Sequence, residues 1–529
     1  MATRLSAPSI NRAIEHLTKF GDTDIFPHLP EILFLNEEKN AVCAELSALD
    51  LEGFNPSQAI ETIAPKSRYG FRIVQQMPLL EALLFTASLI EIGSDLETIK
   101  RPLDEDGPFA YRFVLSEDSS LFLDNHTYRD WLGWQSIKLD GGQYTHVICT
   151  DIADFYQRIY LHRIENTLDA ATANKGVKRF IEKLIKQIRS KQSYGIPVGC
   201  AASRIIAESV LADSDNALAD AEIEFTRFVD DYRIFVKQGQ EPYAILAFLA
   251  DQLAASEGLS LNAQKTKLYL VDEFREHLDA NLNREVFDEA GRSAIQALSN
   301  AFYFEEEIPE PDISMLRALN LLEMLERELA EDVWDFGKIK AIFRALRLVP
   351  DPNSVVFITE KFELFLPFIR DLVLYLDELD QHHTLNFDQL REKVLSQIRE
   401  GAASSVSTIR VWLLELFVRD VMQISTKELN ELRGRETLDN RQVDLIRGLN
   451  GDVNYFRRQK TRFDERNLFE KSAFMLGATC LPKDEFEKWI GAIRPNMSRP
   501  LEKLFCDWVK TKHHGIRSVI DARFALVRE

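Results

Sequence analysis

The stretch Arg227-Phe228-Val229-Asp230-Asp231-Tyr232-Arg233-Ile234-Phe235 decides how the rest of the chain is read. Phe225 to Val229 are mostly apolar and β-prone, Asp230-Asp231 are turn formers, and Tyr232 to Val236 are β-prone again. The pattern predicts a tight β-hairpin with two acids at its tip. Asp-Asp is also a common surface-turn dipeptide, so the hairpin alone carries no chemistry. Two acids held in a buried hairpin are costly unless something pairs with them. A divalent cation is the usual partner, because hard carboxylate oxygens suit Mg²⁺.

Upstream, HVICTDIADFYQRIYLHRIENTL reads as a short apolar strand (Val147 to Cys149), an acid at its end (Asp151), and a helix. If strand and hairpin are neighbours in one sheet, Asp151, Asp230 and Asp231 converge. Three converging carboxylates are what two-metal phosphoryl transfer requires. Asp154, three residues further on, is expected to point away and to be structural. In YGIPVGCAASRIIAESVLADSD, Gly195, Pro197 and Gly199 make a bent loop that feeds a helix. EGLSLNAQKTKLYLV reads as a turn into a strand bearing Lys265 and Lys267. Lys265 is placed to approach a leaving pyrophosphate as charge stabiliser or proton donor. Lys66, Arg68 and Arg72 lie in a turn-rich segment that could fold over a triphosphate; an amphipathic helix follows Pro78.

A chain of 529 residues is too long for one ordinary domain. The formal net charge of −20 excludes a generally positive surface, so any nucleic-acid function needs a local basic channel. The five cysteines are scattered, without zinc spacing, and read as buried core residues in a reducing cytoplasm. No apolar run reaches membrane-spanning length; the best, Leu79 to Ile92, is interrupted by Glu81 and Glu91. The first residues lack the shape of a secretion signal.

From about residue 290 amphipathic helices dominate. Met315, Ala318, Leu322, Leu325 and Leu329 fall on one helix face. Helical blocks are expected near 312–332, 336–348, 355–380, 386–400, 406–422, 440–457, 465–480 and 483–511. Breaks fall at Pro350-Asp351-Pro352, Gly401, Gly434 and Leu481-Pro482. Paired at a period of 35–45 residues, these blocks suit a helical-repeat solenoid, with an irregular bundle as the alternative.

TDIADFY, YGIPVGCAASRIIAE, RFVDDYRIF and LSLNAQKTKL resemble, in order and rough spacing, the palm motifs of reverse transcriptases. APKSRYGFR followed by QQMPLLEALL looks like the fingers segments, so the resemblance covers roughly residues 60–275. Ordinary members carry proline-glutamine-glycine in the glycine loop and alanine before the paired aspartates. Here stand Pro197-Val198-Gly199 and Val229, with Ser203-Arg204-Ile205-Ile206 and Glu208 where relatives place Ser-Pro and later Asn. These departures resemble the abortive-infection (Abi) and related defence-associated reverse transcriptases of the unknown groups in bacteria. That group replaces the thumb by a helical-repeat domain, and RVWLLELF (410–417) and GDVNYFRRQKTRFDE (451–465) look like parts of it.

The resemblance implies an α+β fold. Fingers and palm (residues 1–290), an antiparallel sheet with helices, precede an all-α HEAT-like repeat domain (residues 291–529). It implies Asp151, Asp230 and Asp231 as ligands of Mg²⁺ (or Mn²⁺), and Lys265 near the pyrophosphate. Lys66 and Arg72 would bind the triphosphate, and Tyr156 would exclude a ribose 2′-hydroxyl. Gly195, Pro197 and Gly199 would lie beneath primer and nucleotide. The implied activity is dNTP polymerisation in antiphage defence by a cytoplasmic homo-oligomer. Val198 cannot make the hydrogen bond by which glutamine supports a template, which points to template-independent synthesis. Protein priming would leave single-stranded DNA attached to the protein. No tyrosine precedes Tyr69; Tyr303, Tyr375 and Tyr455 are alternatives, and the priming residue is unassigned. Two other readings are an enzyme copying a partner non-coding RNA and an RNA-binding scaffold with a vestigial palm.

Overall fold

A computed structural model of the protein describes residues 2–103, 105, 107–189, 192–282, 313, 316–432 and 436–527. Tyr303, Met315, Gly434 and the expected domain boundary at 290 lie outside the described residues. Among the described residues there are two antiparallel sheets, both in the N-terminal half. Strands β1 (Ile60–Pro65) and β2 (Phe71–Gln76) form a hairpin. Strands β3 (Tyr144–Asp151), β4 (Glu224–Phe228), β5 (Asp231–Lys237) and β6 (Lys267–Leu270) form a sheet of order β4-β5-β3-β6.

Side chains alternate between the faces of this sheet. Val147, Cys149 and Phe235 pack on the helices Tyr128–Gly141 and Val271–Leu282. Ile148, Phe225, Tyr232 and Ile234 face the main core. Both faces are thus covered, which is why β3 reads as an unbroken apolar run. The apolar stretch after Pro78 becomes the helix Leu79–Thr98, buried on almost every side. Its Glu81 is fully buried and pairs with Arg499. Among the described residues no helix is long and apolar enough to cross a membrane. All five cysteines are free thiols.

The hairpin turn falls one residue earlier than expected. Phe228 pairs with Asp231, so the two-residue loop is Val229-Asp230 and Asp231 opens the return strand. Two-residue hairpins need a positive φ at their first central residue. Val229 supplies it at φ +60°, a conformation a β-branched residue adopts only under constraint.

In the C-terminal half, alternate helices stack in series. Phe336–Leu348 packs on Ile369–His382, that on Ser407–Val418, then Thr437–Leu449, Leu468–Gly477 and Glu502–Lys510. Such neighbour-to-neighbour stacking is the geometry of a solenoid. The expected block 355–380 is broken at Lys361 by a 3-10 segment with Pro367 inside it. The block 440–457 is split at Gly451, which has φ +66°, and 483–511 is split around Pro495. The helices Thr426–Glu431 and Ile516–Leu526 were not expected from the sequence pattern.

This helical half folds back onto the first half. Thr408 Oγ1 donates to the Ile63 carbonyl of β1 at 2.8 Å, and Trp412 Nε1 to the Ile25 carbonyl at 2.8 Å. Arg523 joins the His28 carbonyl to Glu415. The Arg68 guanidinium lies over the Trp334 ring at 4.2 Å.

His16, on the helix Ala7–Phe20, is buried with Nδ1 3.1 Å from the Ser119 carbonyl. Burial lowers its pKa to about 4. The folded state therefore resists the proton that the unfolded chain accepts near 6.5, and stability is lost as pH falls from about 6.5 to 4. The shift corresponds to roughly 3 kcal/mol. His16→Gln should flatten the fall in melting temperature over that window; an unchanged acid profile would refute the assignment.

Candidate active site

Sheet register brings the sequence-derived acids together. Asp151 at the end of β3 pairs directly with Asp231 at the start of β5. Asp230 sits in the turn, where its carbonyl accepts the Ile152 N–H at 3.0 Å. Lys265 Nζ lies 2.8 Å from Asp151 Oδ2. Asn262, which sequence reading passed over, donates its backbone N–H to the Asp151 carbonyl at 2.7 Å and its amide to Asp151 Oδ2 at 3.3 Å. Burial, then the charges of Asp151 and Asp231, push Asp230 up to about 7. Burial also raises Asp231. Burial opposes the charge on Lys265, but the hydrogen bond and field of Asp151 outweigh it and raise its pKa.

This donor set fits a divalent cation: hard oxygens from three carboxylates, one of them driven towards its protonated form by burial and then by its neighbours. Among the described residues no three His, Cys, Asp or Glu side chains already close on one point, and Lys265 holds one Asp151 oxygen.

The strained turn has a buried support. Arg227, fully buried, binds Glu208 at 2.6 Å and Asp215 at 2.7 Å, both also buried. Its Nη1 donates to the Val229 carbonyl at 2.9 Å. Glu208, a departure from the motif pattern, is therefore the counter-ion of the residue that holds the turn. Arg204, the other charged departure, pairs with Asp24 at 2.9 Å and lies over the Tyr111 ring at 5.1 Å.

The glycine loop abuts the same cleft. The Gly195 N–H donates to the Ile159 carbonyl and the Ile196 N–H to the Tyr156 carbonyl. Gly199 has φ +95°, and a Cβ there would meet Asp24 Oδ1 at 2.5 Å, so glycine is required. Pro197 is buried between them. Val198 packs on an apolar cluster containing Ile25, Val74 and Val411. Tyr156 is half-buried; burial and then Tyr111 push its phenol above its ordinary range.

Asp154, expected to point away and to be structural, is exposed and pairs with Lys66. It takes φ +49° just before the short helix Phe155–Arg158, and stays exposed with Oδ1 3.7 Å from Lys66 Nζ. The left-handed residue reverses the chain before the helix begins, so helical spacing from Asp151 does not apply. Arg72, on β2, is half-buried and its Nε has no hydrogen-bond partner. Of the alternative tyrosines, Tyr375 is fully buried with its hydroxyl on Ser354, and Tyr455 donates to Asp444 at 2.7 Å.

Residues 108–298 match the family model described as reverse transcriptase (RNA-dependent DNA polymerase). These residues are similar to a reverse transcriptase domain. The match spans β3, the β4–β5 hairpin and β6, and hence Asp151, Asp230, Asp231 and Lys265; it begins after the β1–β2 hairpin. It supports a nucleotidyltransferase whose substrates are nucleotides and nucleic acid. A comparison with curated proteins finds no match.

Proposed function

We propose that the protein is a DNA polymerase of reverse-transcriptase type that joins dNTPs by two-metal phosphoryl transfer. The observation that carries this reading is the convergence of Asp151, Asp230 and Asp231 with Lys265 at one end of the sheet. The three aspartates would hold Mg²⁺ or Mn²⁺, which supplies Lewis-acid activation of a primer hydroxyl and neutralises phosphate charge. Lys265 stands where it can stabilise or protonate a leaving pyrophosphate. Lys66 and Arg72 contribute cations from the hairpin. Gly195, Pro197 and Gly199 shape the floor beneath primer and nucleotide.

By the resemblance, Tyr156 would be the ring that excludes a ribose 2′-hydroxyl. Tyr156→Val should cut the preference for dNTPs over rNTPs by about 100-fold, the order set by steric pocket discrimination. Competition between labelled dNTP and rNTP measures it; unchanged preference would remove Tyr156 from this role.

The finer reading is template-independent synthesis by an Abi-type enzyme in bacterial antiphage defence. It assigns residues 1–290 to fingers and palm and 291–529 to a HEAT-like domain in place of the thumb. Val198 supports it, because the position that would contact a template strand is spent on an apolar cluster. The serial stacking of helices supports the repeat assignment. The defence role, a protein primer, a homo-oligomer and a cytoplasmic location rest on the resemblance.

Full-length protein, Mg²⁺ and each labelled dNTP, with and without a defined RNA template, test the proposal on a denaturing gel. Incorporation by wild type and none by Asp230→Asn is the expected result. No incorporation by wild type under any condition overturns the polymerase reading. Faithful processive copying of the RNA overturns template independence, and label that stays with the protein band supports protein priming.

A further inference from the structure

Strand β6 pairs with His146 to Cys149 of β3, and the turn before β6 extends this grip past Asp151. Leu261 bridges Ile152, and the Ala153 N–H donates to the Ser260 carbonyl at 2.9 Å. Between them Asn262 donates its own N–H to the Asp151 carbonyl at 2.7 Å. Asn262 is the pivot of the turn. Its carbonyl accepts the N–H groups of Lys265 and Thr266, each at 3.0 Å, and the Thr266 hydroxyl at 2.9 Å. Thr266 Oγ1 also lies 2.7 Å from Thr150 Oγ1, one residue before Asp151.

The side chain of Asn262 is committed at both ends. Its Oδ1 accepts the Gln264 N–H at 3.2 Å, which closes an Asx turn. With Oδ1 spent there, the end that faces Asp151 is the donor Nδ2. Nδ2 donates to Asp151 Oδ2 at 3.3 Å, and Lys265 Nζ lies 2.8 Å from the same oxygen. Among the described residues, no hydrogen bond or ion pair reaches Asp151 Oδ1. Two donors on one oxygen fix the orientation of the buried carboxylate and leave its other oxygen unspent. The residue type is informative. Asp or Ser would form the same turn, but Asp would add a fourth like charge and Ser is too short to reach Asp151.

We infer that Asn262 is a positioning residue: its amide orients the Asp151 carboxylate for a divalent cation, and its turn carries Lys265 to the same carboxylate. This rests on the metal-ligand role that the polymerase reading gives to Asp151. A residue that only formed the turn would need Oδ1 alone; the bond from Nδ2 serves Asp151. Hydrogen-bond partners of ligating carboxylates act in this way, and losing one costs about 10–100-fold in metal affinity or activity.

The test titrates the full-length protein with Mn²⁺ and reads the free ion by electron paramagnetic resonance. The binding that Asp151→Asn removes identifies the site. Asn262→Ser keeps an acceptor for the Gln264 N–H and loses the donor to Asp151. It should melt close to wild type, weaken Mn²⁺ about tenfold or more, and lower kcat with little change in the dNTP KM. Asn262→Ala should weaken Mn²⁺ as much and also melt lower, because the turn is lost too. Thr266→Val removes the hydroxyl contacts beside the turn but leaves the Asn262 amide, so it should bind Mn²⁺ as wild type does. Wild-type Mn²⁺ affinity in Asn262→Ser overturns the inference, because the residue is then a turn former only. Equal weakening in Thr266→Val overturns it as well, since a loosened turn would suffice. So does a wild type that binds no Mn²⁺ through Asp151. Mn²⁺ binding that depends on Asn262 in a protein that makes no DNA would sink the polymerase reading and leave the positioning role standing. DNA synthesis by Asn262→Ser at the wild-type rate and Mn²⁺ affinity would do the reverse.

Discussion

Arg227→Ala should lower the stability of the protein by about 3–5 kcal/mol, the loss expected when one member of a buried ion network is removed. Arg227, Glu208 and Asp215 are all excluded from solvent. Without the guanidinium, Glu208 and Asp215 remain buried without their ion-pair partner and lose the hydrogen bonds it donates. The Val229 carbonyl loses its donor as well. Val229 at φ +60° stores on the order of 1–3 kcal/mol of backbone strain, which the surrounding contacts must over-determine. Releasing it should let the turn relax and move Asp230. Arg227→Lys keeps the charge but cannot bridge Asp215, Glu208 and the carbonyl together, so it should fall between wild type and alanine. Thermal melting and urea titration of the three proteins measure this. An alanine variant within 1 kcal/mol of wild type would mean that the network does not hold the hairpin.

Asp230→Asn should reduce nucleotide incorporation by about 10³-fold or more, the consequence of losing several kcal/mol of charge stabilisation at a metal-assisted step. The substitution preserves shape and removes a charge that burial and two nearby carboxylates disfavour. The ionised Asp230 costs the fold increasingly as pH rises from about 4 to about 7, so the variant should melt no lower than wild type above pH 7. Loss of activity without loss of stability separates a reacting group from a structural one. Single-turnover incorporation at saturating dNTP is the measurement. Activity within tenfold of wild type would exclude Asp230 from the chemistry and favour a scaffold that binds RNA.

The acids of the site were readable because their spacing is local to strands. A strand ending in Asp151 and a hairpin carrying Asp230-Asp231 need one assumption, adjacency in a sheet, to converge, and β3–β5 pairing meets it. Asp154 takes φ +49°, a left-handed conformation that no helical spacing anticipates. Arg204 and Glu208 stood out in the sequence only as odd residues. Their partners, Asp24 and Arg227, lie 180 and 19 positions away, beyond any periodic pattern.

By itself, then, the sequence determined the hairpin, the strand that pairs with it, the order of the palm motifs and the helical nature of the second half. These follow from alternation, turn chemistry and helical spacing, which act over a few residues. Only the tertiary structure decided where the turn falls, what counters Arg227, and where the helical half sits. Contacts such as Thr408 on Ile63 and Arg68 over Trp334 join residues hundreds of positions apart. Packing chooses such pairs by shape and charge in three dimensions, so no local pattern announces them.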